Sequence, residues 1–278
     1  EELSFWADTL LQQVPELPRD HSDVQLVLQD SDQIGFRLNV EQTQLLLTDA
    51  HFAYSTQIND LLLAGLVLAV QDWAGMNRIA ITLEGHGRED IGAEVDITRT
   101  VGWFTSMFPV VFELHTNEIS HAVKQVKEQL RRVPNKGAGY MVAEYLTSAQ
   151  QSGVAQARLQ PEIAFNYFGQ LDASVSEETY QVSPLSPGHN INPANQDVFP
   201  LSISGMVMGR ELLIQFTYNR RVYERVTMEH LVTSYQENLI RVIQHCVQQD
   251  EKELTPSDFT TRELTADDMN AVFELLGE

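Results

Sequence analysis

The sequence predicts a layered α/β domain. Amphipathic helical patterns alternate with short strand patterns along most of the 278 residues, which is typical of sheets covered by helices. Hydrophobic residues make up 43% of the chain and charged residues 21%, as in ordinary globular proteins. A chain of this length buries about 75% of its unfolded surface and supports a substantial core. Its length predicts one large domain or two small ones.

Strands are predicted where apolar and polar residues alternate, or where short apolar runs lie between turn residues. The hairpin pattern is clearest around Met208-Gly209-Arg210, where two alternating segments flank a turn. The predicted strands are residues 34–40, 78–84, 107–114, 163–168, 201–207 and 212–218.

Helices are predicted from apolar residues at helical spacing. Residues 1–27 combine such a pattern with a linker, because Pro15 and Pro18 end the spacing. Residues 56–73 are apolar nearly all round, so this helix should be buried on most faces. The other predicted helices are residues 41–47, 117–133 and 227–247.

Two regions lack a clear pattern of regular structure. Residues 170–199 are polar and contain three prolines, which predicts a long loop that is either functional or disordered. From Thr255 the chain is acidic, and it ends in a weakly amphipathic segment at residues 266–276. That segment is interpreted either as a docking helix for another protein or as a helix packed on its own domain.

Composition excludes several classes of function. The 18 Lys and Arg against 39 Asp and Glu give a net charge of −21, which argues against nucleic acid and against an anionic membrane surface. The single Cys246 excludes a disulfide framework and a multi-cysteine metal site. The longest apolar run, residues 61–70, is half of what a membrane span needs, and no signal peptide opens the chain. We therefore expect a segment of a longer cytoplasmic polypeptide.

The segment Leu83-Glu-Gly-His-Gly-Arg-Glu-Asp90 is the richest in chemically useful side chains. It places Glu84, His86 and Arg88 directly after an apolar strand. A carboxylate there can be partly desolvated, which raises its pKa toward the range that a general acid or base needs. The alternatives are a charged surface turn with a Glu–Arg pair, or a metal site that would have only two local ligands.

Two further segments carry candidate binding groups. Trp103 and Phe104 lie beside Gly102 and lead into a strand, which suits either the wall of a substrate channel or ordinary core packing. Asn166 and Tyr167 lie on a short strand. They are interpreted either as donors to a developing oxyanion or as satisfied polar groups of the core.

Five segments in this order resemble the conserved motifs of the epimerisation domains of nonribosomal peptide synthetases. The Glu-Gly-His-Gly-Arg-Glu string is the most specific of them, because sister condensation domains share the fold without it. The five segments are Thr56–Gly65, Glu84–Glu89, Arg99–Thr105 with Phe108–Pro109, Pro134–Tyr140 and Phe165–Gln170.

The resemblance implies a chloramphenicol-acetyltransferase-like lobe with a mixed sheet packed with helices, as the second half of a two-lobed, V-shaped domain. The family's upstream His-His-x-x-x-Asp-Gly motif is not found in this sequence. The implied division is an inter-lobe helix and linker at 1–27, the C-terminal lobe at 28–254 and an acidic tail at 255–278. Whether the lobe is active without the upstream half stays open.

The resemblance also implies an isomerase that inverts the α-carbon of an aminoacyl or peptidyl thioester through an enolate, giving D-residues for peptide antibiotics. Glu84 would be one of the two acid–base groups, and Asn166 and Tyr167 the enolate donors. Arg88 would orient or pair with Glu84. The remaining implied substrate-binding or orienting residues are His86, Trp103, Phe104 and Thr105.

The implied partners are the upstream lobe, a peptidyl carrier domain and a downstream condensation domain. No metal or cofactor is expected on the lobe itself, because the phosphopantetheine arm belongs to the carrier. Two basic groups could dock the carrier: Arg131, Arg132 and Lys136, or Arg220, Arg221 and Arg225. Two other functions stay open: a condensation-type acyltransferase, and a non-catalytic lobe that serves as scaffold or docking surface.

Overall fold

The computed structural model describes residues 2–22, 25–89, 96–146, 159–171, 185, 188 and 191–259. Asp90 and the predicted tail segment at 266–276 lie outside these ranges. Most of the predicted loop at 170–199 also lies outside them. The helices are α1 (Glu2–Leu10), α2 (Val40–Leu47), α3 (Ile58–Ala74), α4 (Ile119–Arg131), α5 (Ala138–Tyr145) and α6 (Arg225–Val247). The strands are β1 (Ser31–Leu38), β2 (Arg78–Gly85), β3 (Ser106–Glu113), β4 (Ile163–Gln170), β5 (Leu201–Met208) and β6 (Glu211–Asn219).

The six strands form one sheet in the order β1-β6-β5-β4-β2-β3. Strand β4 pairs in parallel with both β2 and β5, whereas the other pairs are antiparallel. The sheet is therefore mixed, and the predicted α/β class with a mixed sheet packed with helices is confirmed. Helix α5 is a difference from the sequence analysis, which assigned no helix there.

One face of the sheet carries the core. Phe36 of β1 and Phe216 of β6 both pack edge-on against Tyr235 of α6, at centroid distances of 5.5 and 5.9 Å. Gly65 of α3 faces α6, where an added Cβ would lie 3.1 Å from the Cα of Leu239. A small residue is needed here because the two helix backbones approach closely. As expected for a helix that is apolar all round, α3 is buried along most of its length.

The opposite face of the sheet, called here the open face, carries smaller and more polar side chains. Side chains alternate between the two faces along each strand. The buried residues of β5 therefore alternate with the half-buried Ser202, Ser204 and Met206. None of the helices within the described ranges is long and apolar enough to cross a bilayer.

A buried lysine ties the end of the described chain to the helical layer. Lys127 of α4 is 1% exposed, and its ammonium lies 2.6 Å from a carboxylate oxygen of Asp258 and 2.7 Å from the carbonyl oxygen of Tyr54. Thr255 is also buried and caps the short turn that presents Asp258. The predicted tail at 255–278 thus begins inside a segment that packs on α4.

We expect Asp258→Asn to lower the free energy of unfolding by about 3 kcal/mol, because it leaves a buried ammonium without its counter-ion. Glu253→Gln is the matched control. It removes the partner of Lys124 in a far more exposed pair and should cost less than about 1 kcal/mol. Urea unfolding of both variants measures the difference, and equal losses would contradict this account of Lys127.

Candidate active site

Glu84 lies near the end of β2, on the open face. Its neighbour Leu83 is in register with Phe165 of β4, and both belong to the core. The next residue of each strand therefore points to the other side. There the side-chain nitrogen of Asn166 donates a hydrogen bond of 2.6 Å to Oε2 of Glu84. The parallel pairing thus joins two predicted site residues that are 82 positions apart.

The carboxyl group of Glu84 is half-buried, and this burial raises its pKa above the ordinary value for glutamate. Burial has this effect because it disfavours the charged form. The N–H of Asn166 acts in the opposite direction, since a donor to the carboxylate favours the ionised form. The site therefore holds a titratable group on a half-buried surface with one donor fixed against it.

Arg88 does not pair with Glu84 in the structure, which corrects the ion-pair role predicted for it. Its guanidinium donates to the carbonyl oxygens of Ile97, Thr100 and Gly102, at 2.9, 3.0 and 3.4 Å. It also lies 4.3 Å from the ring centroid of Phe104. The reason is that its guanidinium donors are taken up by backbone carbonyl oxygens of the loop before β3. Arg88 therefore positions that loop.

Gly87 allows the same loop to approach. Its φ is +64°, and an added Cβ would lie 1.5 Å from the carbonyl oxygen of Phe104. No L side chain fits such a contact, so the glycine is needed both for its conformation and for space.

His86 and Glu89 form a second polar cluster beside the turn. Nε2 of His86 lies 3.0 Å from Oε1 of Glu89, and Nζ of Lys136 lies 2.9 Å from Oε2. The backbone N–H of Arg88 donates to Nδ1 of His86, so in the neutral ring Nε2 carries the proton and donates to Glu89. Over the described ranges, no third His, Cys, Asp or Glu joins these residues in a metal-binding group. The cluster links the turn after β2 to the turn before α5.

Tyr167 lies on the opposite side of the sheet from Asn166, which corrects the prediction that both donate to one oxyanion. Tyr167 is in register with Gly205 of β5. The missing Cβ of Gly205 would lie 3.0 Å from Ile214, a core residue, and 3.3 Å from the Tyr167 ring. The phenol therefore faces the helical layer, where burial raises its pKa.

The aromatic pair after Gly102 is divided. Phe104 lies under Arg88, whereas Trp103 is 90% exposed and Val101 is 99% exposed. Core packing, one of the two interpretations of the pair, is therefore wrong for Trp103. Thr105 directly precedes β3 and is half-buried. The substrate-binding roles predicted for these residues stay predictions.

The two basic groups differ from the simple docking patches that the sequence suggested. Arg131 makes two hydrogen bonds of 3.0 and 2.7 Å to Asp60, which is 1% exposed. The charge of Arg131 is therefore paired with a buried carboxylate. Arg220 and Arg221 are exposed, and they lie 3.5 and 3.8 Å from the half-buried Asp30. The cation with the most buried partner, Arg131, therefore contributes to the structure rather than to a free docking surface.

Two residues that the sequence analysis did not single out flank the pair of Glu84 and Asn166. Met107 of β3 is in register with Glu84, and Ser204 of β5 is in register with Asn166. Both lie on the open face. A methionine and a serine within strands carry no motif, and only the strand register identifies them.

We expect Gly87→Ala to destabilise the protein by more than the roughly 1–2 kcal/mol that a left-handed conformation alone costs a side chain, because the methyl group also meets the backbone of Phe104. Gly75→Ala is the matched control, since Gly75 has φ +65° and open space around its Cβ position. Thermal unfolding compares the two, and hydrogen exchange of residues 97–104 should rise only in Gly87→Ala. Equal effects in both variants would refute the close approach.

Comparison with known proteins agrees with this architecture. Residues 1–265 match the family model described as the condensation domain. Surfactin synthase subunit 2 of Bacillus subtilis (strain 168) is 39% identical over 100% of this chain but only 8% of its own length. Gramicidin S synthase 1 of Brevibacillus brevis is 42% identical over 88% of this chain and 23% of its own. The chain thus spans less than a quarter of these curated relatives.

Among solved structures, the epimerization domain from the third module of tyrocidine synthetase B is similar, with a TM-score of 0.82 and 41% identity. The match covers 89% of this chain and 56% of that one. The resemblance stated from the five sequence motifs is confirmed by this neighbour and by the family match.

Proposed function

Because the chain belongs to the condensation-domain family, we propose that it is the part of a nonribosomal peptide synthetase that epimerises the α-carbon of a carrier-bound aminoacyl or peptidyl thioester. The observation that carries this proposal is the half-buried carboxyl group of Glu84, which Asn166 holds on the open face. The Glu-Gly-His-Gly-Arg-Glu string and the 41% identity to an epimerization domain favour this activity over acyl transfer.

The reaction needs one group on each face of the α-carbon. When Glu84 takes the α-proton, the C–H bond electrons form a C=C bond and the carbonyl electrons move to the oxygen, giving an enolate. A proton returned to the opposite face restores the thioester with inverted configuration. That second proton donor is expected from the upstream half of the domain, and exchange with solvent resets both groups.

The other components of the proposal follow from this chemistry. A thioester acidifies its α-proton, so the reaction proceeds without a metal or a cofactor on this chain. The phosphopantetheine arm of a carrier domain acts as the tether of the substrate. The proposed partners are therefore that carrier, the upstream half of the domain and a neighbouring condensation domain.

We expect Glu84→Gln to slow both deuterium exchange at the α-carbon and inversion by about 10²–10⁴-fold, the usual contribution of general acid–base catalysis. The assay uses the synthetase that contains this chain, with its carrier loaded with an L-aminoacyl group, in heavy water. Glu113→Gln is the matched control, because Glu113 lies on the same face of the neighbouring strand, six residues beyond the partner of Glu84.

The outcomes of this assay separate the functions. Exchange and inversion in the wild type, both lost in Glu84→Gln, would support epimerisation by Glu84. A wild type that shows no exchange and acylates an acceptor amine instead would assign the domain to peptide-bond formation. A wild type inactive in both assays would favour a scaffold role.

The pH dependence tests the environment of Glu84. We expect the limb of the kcat profile that reports Glu84 to lie above the ordinary glutamate range, because burial raises its pKa. Asn166→Ala should move this limb to still higher pH, since the carboxylate loses its donor. The direction is the same whether Glu84 gives or takes the proton. Gln215→Ala is the control, because it removes an amide two strands away from Asn166 and should leave the limb in place. A downward shift of the limb in Asn166→Ala would contradict the assignment.

A further inference from the structure

A row of side chains crosses the open face at the level of Glu84. Strand register places Met107, Glu84, Asn166, Ser204 and Gln215 side by side on five successive strands. Neighbouring strands lie about 5 Å apart, so each member of the row is within reach of one small group bound above its neighbours.

Two hydrogen-bond donors on the two strands next to Glu84 are available to a ligand. The carboxamide of Asn166 has two N–H groups, and one of them is used on Glu84. The hydroxyl of Ser204 makes no hydrogen bond to any residue that the structure describes, although Ser204 is only half-buried. The second N–H of Asn166 and the hydroxyl of Ser204 face the same side from adjacent strands.

We propose that Ser204 and Asn166 together form the oxyanion site for the thioester oxygen, with Ser204 in the place that sequence analysis gave to Tyr167. The inference rests on the proposed function, because the enolate intermediate of epimerisation places negative charge on that oxygen. Tyr167 cannot serve, since its ring faces the helical layer. Donors fixed before the charge develops stabilise it without reorganisation.

The spacing of the row suits this arrangement. The midpoint between Asn166 and Ser204 lies one and a half strand spacings from Glu84, or roughly 7 Å. A proton acceptor stands about 3–3.5 Å from the atom that it attacks. A carbonyl oxygen two bonds from its α-carbon, together with its hydrogen bonds to the two donors, spans the remaining distance. One substrate can therefore present its α-proton to Glu84 and its oxygen to both donors.

The test compares three serine variants in the synthetase that contains this chain, with the carrier loaded with an L-aminoacyl group. We expect Ser204→Ala to lower kcat for α-proton exchange about 100-fold, with the KM for the loaded carrier changed less than twofold. Ser202→Ala is the matched control, because Ser202 is the same residue on the same face and strand, in register with Ala164. Ser204→Thr keeps the hydroxyl and should retain most of the activity.

Two further readouts separate this role from a structural one. Ser204→Ala should leave the pH limb of Glu84 in place, because Ser204 does not contact that carboxylate. Its thermal unfolding should match that of Ser202→Ala. Full activity in Ser204→Ala, or equal losses in both alanine variants, would overturn the inference while leaving epimerisation intact. A wild type without exchange would overturn the proposed function itself.

Discussion

The parallel pairing of β4 between β2 and β5 is the constraint on which the candidate site depends. It fixes Leu83 against Phe165 and Phe165 against Ile203, and all three are buried in the core. A slip of one residue would turn this row to the open face and send Glu84 into the helical layer. The large apolar area of the core thus determines which polar groups meet on the other side of the sheet. The pairing of Glu84 with Asn166 on the open face is thus a consequence of packing on the opposite face.

Several positively charged side chains outside the candidate site form hydrogen bonds within the fold. Arg88 donates hydrogen bonds to backbone carbonyls, Arg131 donates to Asp60, and Lys127 donates to Asp258. A chain with a net charge of −21 has few cations to use, and several of them neutralise partly buried groups. The surface therefore keeps its strong negative charge, because several of the described cations are already paired with carboxylates.

Much of the fold can be predicted from the sequence, because apolar periodicity marks the same segments that the sheet and helices bury. Helix α5 escapes this reasoning, since it is short and follows a turn in which Asn135, Lys136 and Gly137 all have left-handed conformations. The motifs identify Glu84 and Asn166, but their contact depends on strand register. Alternation along β4 already implies that Asn166 and Tyr167 face opposite sides, and only the register shows which of them joins Glu84. Ser204 belongs to no sequence motif, and only the pairing of β4 with β5 places it beside Asn166.

The clamp between Lys127 and Asp258 has a consequence for building hybrid synthetases. A junction placed before Asp258 would transplant this unit without the carboxylate that pairs with Lys127 of α4, so the sequence that follows would have to supply another. A junction placed after Phe259 carries the clamp along with the domain that depends on it. The natural unit of exchange is thus set by one buried charge rather than by the end of the last helix.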